Sequence, residues 1–150
     1  MQKALHAIQL GVSLLQRRRR ELRNEAMSAN PAFVLIAVED RLAGKHLARM
    51  LKERGYWHVR LVRRAASALL LAERISPEIV FLDVALADDA YELANTLRQR
   101  AGQRTLRLIA LTSNIEHSTR EQARGAGFER WLVTPVAKDD LDSLMQQHKV

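Results

Sequence analysis

The sequence contains no cysteine, and this absence excludes two kinds of architecture. Without thiols the chain can build neither a disulfide framework nor a thiolate metal site. It also has no run of about eighteen apolar residues, so no segment predicts a membrane span. Residues 4–15 are largely apolar, but polar residues interrupt them and arginines follow, which does not fit a cleavable export signal. We therefore expect a cytoplasmic protein.

Common catalytic and cofactor signatures are missing as well. The sequence has no GxGxxG or Walker pattern and no internal repeat, and its five histidines show no metal-ligand spacing. Its 150 residues are 47% hydrophobic, which is enough for one domain with a substantial core plus a short extension.

Positive charge is concentrated near the N-terminus. The formal net charge is +7, and residues 1–30 supply most of it, with six Lys/Arg against two Glu. Such a cluster can bind phosphates, so a nucleic-acid-binding regulator that uses the basic N-terminal helix is one alternative function. A solvated helix face explains the same cluster more simply, and we rank nucleic-acid binding second for that reason.

Residues 3–26 predict a single amphipathic helix. Apolar residues recur at spacings of three and four with Arg19 at the missing step, namely Leu5, Ile8, Val12, Leu15 and Leu22. A stripe of this size has to be buried, against a second copy, against a partner or against the domain that follows. We expect a homodimer through residues 3–26 or docking on a partner, while a simple linker helix remains the alternative.

The residues after Pro31 predict one α/β domain. The break at residues 28–31 divides the chain into 1–30 and 31–150. Five strands then alternate with five helices; the strands are 33–38, 59–62, 79–83, 106–111 and 131–133, and the helices are 42–54, 65–75, 91–100, 118–126 and 138–148. This alternation favours a flavodoxin-like, doubly wound, five-stranded parallel sheet with five helices, preceded by an N-terminal helical extension.

Polar residues end three of these strands. Glu39 and Asp40 follow the first strand, Asp83 ends the third, and Thr112 follows the fourth. In a flavodoxin-like strand order these strands are neighbours, so their ends share one crevice. Carboxylates gathered there repel one another unless a cation joins them, and oxygen ligands suit Mg²⁺. Mg²⁺ held by such carboxylates, beside a free carboxylate oxygen that acts as the nucleophile, predicts phosphoryl transfer.

Four motifs in register, VLIAVED, PEIVFLDV, LIALTS and GFERWLVTPV, resemble the receiver domain of two-component response regulators over residues 33–149. The resemblance implies a signalling module rather than an enzyme, with a histidine kinase or a phosphotransfer protein as partner. It assigns Glu39 and Asp40 as the acidic metal pair, Asp83 as phosphoacceptor and metal ligand, Thr112 as the switch hydroxyl and Trp131 as the switch aromatic.

The sequence departs from the family pattern at two places. Thr134 replaces the lysine that pairs with the acidic site, so the attraction of that ammonium is absent. The loop after the acceptor lacks its proline and glycine and carries Asp88 and Asp89 instead. Two modes of action therefore stay open, phosphorylation on Asp83 and an atypical receiver that acts by binding alone.

Output in either mode is expected through protein contacts with a downstream partner, because residues 31–150 leave no room for a second domain. A small Mg²⁺-dependent phosphatase is the third possibility. It ranks last, since Ala85 stands where such enzymes need a second aspartate, and the lysine is missing too.

Overall fold

A computed structural model of the chain describes residues 8–19, 30–86, 90–113, 125 and 127–146. The chain divides into two compact units, Met1–Asn30 and Pro31–Val150. The first contains helix α1, described over residues 8–19. The second contains, in chain order, β1 (Asn30–Ala37), α2 (Arg41–Glu53), β2 (Tyr56–Val62), α3 (Ala65–Ile75), β3 (Ile79–Asp83), α4 (Ala90–Ala101), β4 (Arg107–Thr112), β5 (Arg130–Val133) and α5 (Lys138–Gln146).

The strands form one sheet in the order β2-β1-β3-β4-β5. β3 pairs in parallel with both β1 and β4, and β4 pairs in parallel with β5. This is the flavodoxin-like doubly wound order, so the predicted fold is confirmed. The register places Ala37 beside Leu82 and Asp83 beside Leu111, which brings the C-terminal ends of the central strands to one edge of the sheet.

β3 is the centre of the core, because its apolar residues are fully buried on both faces. Ile79 and Phe81 join one apolar cluster, while Val80 and Leu82 join the other. The first cluster includes residues of α2 and α5, and the second includes residues of α3 and α4. Burial of a side chain as large as Phe81 contributes about 2–3 kcal/mol, so this short strand fixes the sheet between its two helical layers.

The helices agree with the predicted pattern with one correction. α2 ends at Glu53 and is followed by Gly55 at φ 90°, as expected for a glycine that stops a helix. The sequence pattern predicts Leu42 on one apolar face of α2 with Leu47, Met50 and Leu51, but the side chain of Leu42 is 78% exposed. Leu42 lies in the first turn of α2. The predicted helix 118–126 falls almost entirely outside the described residues.

The described part of α1 carries large apolar side chains that are exposed to solvent, Ile8, Leu10, Val12, Leu14 and Leu15. Three of them belong to the predicted stripe, whereas Leu5 and Leu22 lie outside the described residues. Among the described residues, no helix is both long and apolar enough to cross a lipid bilayer.

Candidate functional site

Asp83 is the last residue of β3 and is half-buried. Its Oδ1 accepts a hydrogen bond of 2.9 Å from the N–H of Ala85. Its carbonyl oxygen accepts a second bond, of 3.0 Å, from the N–H of Leu86. A buried strand and a hydrogen-bonded turn therefore hold this carboxylate from two sides.

Glu39 and Asp40 follow β1 at the same end of the sheet, and both are exposed. Asp40 caps α2, since its Oδ1 accepts hydrogen bonds from the N–H groups of Leu42 at 3.0 Å and Ala43 at 3.4 Å. Aspartate is among the preferred residues at this position because it satisfies backbone donors that the first helical turn leaves unpaired. The start of α2 thus fixes how Asp40 is presented.

The three carboxylates influence one another. Burial raises the pKa of Asp83 above the ordinary aspartate value, the N–H of Ala85 lowers it, and the negative charges of Glu39 and Asp40 raise it further. The structure therefore brings these residues together, and it does so with an excess of negative charge.

This donor set is chemically suited to Mg²⁺, which prefers oxygen ligands and keeps several of its waters. Within the described ranges, no group of three or more His, Cys, Asp or Glu side chains is already arranged around a metal position. Oδ1 of Asp40 and Oδ1 of Asp83 accept backbone hydrogen bonds, and each carboxylate keeps further lone pairs for a cation. The residues thus fit an ion that is held by a few carboxylates and completed by water.

Thr112 ends β4 and is buried beside Val133 of β5. Its carbonyl oxygen accepts hydrogen bonds from the N–H of Thr134 at 2.9 Å and from Thr134 Oγ1 at 3.5 Å. The peptide bond between Thr134 and Pro135 is cis. Thr134 also lines a pocket of about 440 Å³ together with Asp40. A neutral hydroxyl thus lies at the position where the resemblance leads one to expect a lysine.

Trp131 lies in β5, opposite Ala110, and is half-buried. It packs against the apolar cluster that contains Phe128. This places the predicted switch aromatic on an edge strand rather than in the middle of the core. The other acidic residues of the predicted site region, Asp88 and Asp89, lie outside the described residues.

One contact at this end of the sheet was not predicted from the sequence. Arg63 directly follows β2, and its Nε donates a 3.0 Å hydrogen bond to the carbonyl oxygen of Glu39. The strand-end rule pointed only to the residues that follow β1, β3 and β4. Applied to the end of β2, the same rule would have pointed to Arg63 and Arg64.

With the geometry established, the family follows from comparison with known proteins. Residues 34–146 match the family described as the response regulator receiver domain. The chain belongs to this family. The predicted resemblance is thereby confirmed, and the protein is a receiver domain of two-component signalling. Receiver domains are generally signalling modules rather than enzymes, and the family typically binds Mg²⁺ at its acidic site and exchanges phosphoryl groups with histidine kinases or phosphotransfer proteins.

Individual relatives agree with this assignment. The receiver domain is 34% identical over 118 residues to the transcriptional regulatory protein PdtaR of Mycobacterium tuberculosis, and the match covers 78% of this chain and 56% of PdtaR. The chain therefore spans little more than half of PdtaR. It is 32% identical over 115 residues to an uncharacterized 14.6 kDa protein of Leptolyngbya boryana, covering 76% of this chain and 88% of that protein.

A solved structure supports the fold. The chemotaxis protein CheY4 of Vibrio cholerae superimposes with a TM-score of 0.70 at 20% identity, covering 77% of the receiver domain's chain and 97% of CheY4.

Proposed function

We propose that this receiver domain accepts a phosphoryl group on Asp83 from a histidine kinase or a phosphotransfer protein. The observation that carries the proposal is the position of Asp83 at the end of β3, half-buried, with Glu39 and Asp40 close enough to raise its pKa. A carboxylate held beside two others at the C-terminal edge of a parallel sheet is suited to phosphoryl transfer once a cation offsets the negative charge.

Oδ1 of Asp83 accepts the hydrogen bond from Ala85 and would use its second lone pair for the cation, so Oδ2 is assigned as the nucleophile. Oδ2 attacks the phosphorus of the donor phosphohistidine; the new O–P bond forms as the P–N bond breaks, and the leaving imidazole nitrogen takes the electron pair and a proton. Glu39, Asp40 and Asp83 would hold the Mg²⁺, which neutralises charge on the phosphoryl oxygens when bound.

Thr112 and Trp131 are assigned to the response. Thr112 ends β4, the strand beside β3, and its hydroxyl would donate a hydrogen bond to a phosphoryl oxygen on Asp83. Its backbone also bonds to Thr134, so movement of Thr112 would be passed to the loop after β5. Trp131 on β5 would report that movement to a downstream protein.

Phosphorylation can be tested by incubating the full chain with acetyl phosphate and MgCl₂ and measuring the intact mass. A mass increase of one phosphoryl group that maps to Asp83 supports the proposal. Asp83→Asn should abolish the increase, and the matched control Asp140→Asn, an exposed position in the first turn of α5, should retain it. If the wild-type chain gains no mass while remaining folded, the receiver acts by binding alone.

The N-terminal helix is proposed to mediate self-association. Ile8, Val12 and Leu15 are 64%, 48% and 64% exposed, and a leucine-sized side chain seated in an interface contributes roughly 1.5–3 kcal/mol. Association entropy offsets part of this gain, so several such residues are needed for a stable dimer. Along the sequence, Leu5 and Leu22 extend the same heptad pattern.

A further inference from the structure

A pocket lies between α3 and α4 at the N-terminal edge of the sheet. Its volume is about 230 Å³. It opens beside Ser76 and Pro77, which precede β3, and Leu106, which precedes β4. Because β3 and β4 are parallel, this edge is opposite to the edge that carries Asp83. The proposed phosphorylation therefore gives this pocket no role.

The inner wall of the pocket is apolar. Ala72 of α3, Val80 of β3, Leu97 of α4 and Leu106 are all buried and belong to one core cluster, yet they also line this unfilled space. A cavity of about 150 Å³ with apolar walls is large enough to hold benzene. The pocket between α3 and α4 therefore has room for a compact apolar group of about one ring.

The opening of the pocket is charged, with two arginines against one glutamate. Glu73 of α3 and Arg100 of α4 form an ion pair, and both side chains are about half exposed. Arg104 is also exposed, and its Nη1 donates a 3.0 Å hydrogen bond to the carbonyl oxygen of Pro77. This bond holds the guanidinium of Arg104 beside the pocket and leaves Nε and Nη2 as donors. The net positive charge of the lining favours an anion.

The ion pair also indicates which anion suits this opening. The carboxylate of Glu73 already binds one of the two guanidinium groups, that of Arg100. Within the described part of the chain, Arg104 has no acidic partner. Nε and Nη2 form one edge of a guanidinium, and this edge matches the two oxygens of a carboxylate.

We propose that this pocket binds a small monocarboxylate with a compact apolar body, of the size of benzoate. The apolar body contacts Val80 and Leu97, and the carboxylate accepts charge-assisted hydrogen bonds from Nε and Nη2 of Arg104. Glu73 opposes binding, because its charge has the same sign as that of the ligand and it competes for Arg100. A bound molecule would contact α3, β3 and α4 together, so it would tie two helices of one layer to each other.

The first test titrates the full chain with sodium benzoate and follows the backbone amide signals by NMR. Saturable shifts are expected at the amides of Val80, Leu97 and Leu106. Benzamide has the same ring without the charge and is the matched ligand control. It should bind about tenfold more weakly, the size that corresponds to losing one charge-assisted hydrogen bond. The absence of saturable shifts at these residues, or equal affinity for benzamide, would overturn the proposal.

Substitutions at the opening should change the affinity for benzoate in opposite directions. Arg104→Gln should weaken binding about tenfold, because it removes the charged donor. Glu73→Gln should strengthen binding, because it removes a like charge and a competitor for Arg100. Arg74→Gln is the matched control, since Arg74 is an exposed residue of α3 that does not line the pocket, and it should keep the wild-type affinity.

The amide spectrum of each free variant checks that it is folded. If Arg104→Gln does not fold, Arg100→Gln takes its place, because it also removes a positive charge from the opening and should weaken binding. Unchanged affinity in both the arginine variant and Glu73→Gln would show that these charges do not select the ligand, and so would an equal loss in Arg74→Gln. The titration contains no phosphodonor, so its failure would refute this inference and leave the proposed function of Asp83 standing.

Discussion

Asp40 has two roles that a pair of substitutions can separate. Its Oδ1 caps α2 through the N–H groups of Leu42 and Ala43, and its charge is proposed to bind Mg²⁺ beside Asp83. Asparagine caps helices about as well as aspartate but carries no charge, whereas alanine removes both the cap and the charge. Asp40→Asn therefore tests the ligand alone, and Asp40→Ala tests both roles.

The wild type, Asp40→Asn and Asp40→Ala should rank differently in unfolding free energy with and without Mg²⁺. Loss of the cap in Asp40→Ala costs about 1 kcal/mol of unfolding free energy. Without Mg²⁺, Asp40→Asn should be as stable as the wild type or slightly more stable, since it keeps the cap and relieves repulsion of Asp83. With Mg²⁺ at ten times its dissociation constant, the wild type gains about 1.4 kcal/mol by mass action. The wild type should then become the most stable of the three.

Urea unfolding followed by tryptophan fluorescence, with and without MgCl₂, measures this order. Asp140→Asn is a suitable control for general effects of losing one acidic residue at a helix start. If Asp40→Ala has the same unfolding free energy as the wild type, the cap contributes nothing to stability. An equal gain from Mg²⁺ in the wild type and in Asp40→Asn would show that Asp40 is not a ligand.

Three further predictions concern packing, pH and assembly. In Gly44→Ala the new Cβ would lie 2.5 Å from Leu61 Cδ1 and 2.9 Å from Val38 Cγ1. Overpacking against the rigid, buried Val38 should outweigh the gain in helix propensity. The free energy of unfolding, measured in urea, should therefore fall by about 1 kcal/mol. The hydrogen bond from Arg54 lowers the pKa of Asp142 in the folded protein. This bond therefore stabilises the fold fully above the pKa of an unfolded aspartate, about 3.9, and the stabilisation is lost as the pH falls through the lowered pKa. Asp142→Asn should therefore weaken the dependence of urea midpoints on pH in the acid range, and an unchanged profile would contradict this assignment. By light scattering, the full chain should be a dimer and a chain that begins at Asn30 a monomer; a monomeric full chain would refute association through residues 3–26.

The sheet and the position of Asp83 at the end of β3 could be predicted because their signals are local. The apolar run from Ile79 to Leu82 is unbroken, since β3 is covered on both faces, and an acid follows at once. β2 was harder to place. Only Val59–Val62 was predicted, whereas the strand begins at Tyr56. Trp57 and His58 are exposed on this edge strand, so no alternation of buried and exposed side chains marked its first residues.

Contacts that depend on tertiary geometry were not predictable in the same way. The helical periodicity of α2 does not show that Leu42, in the first turn, is exposed. Nor does the sequence show that Arg63 returns across the sheet edge to bond to Glu39, because the two residues are far apart in the chain and meet only when β1 and β2 pair. Residue type and strand order identify candidates, while the bond itself requires the folded structure.

The two edges of the sheet also determine how this protein can assemble. β5 is a strand of four residues, and β2 carries the exposed side chains of His58 and Arg60 along its length. Short edge strands and charged edge residues both disfavour pairing with a strand of another molecule. At high concentration the domain should therefore resist the growth of continuous intermolecular sheets. Any ordered oligomer is then expected to form through helical surfaces, which leaves the receiver fold intact when the oligomer dissociates.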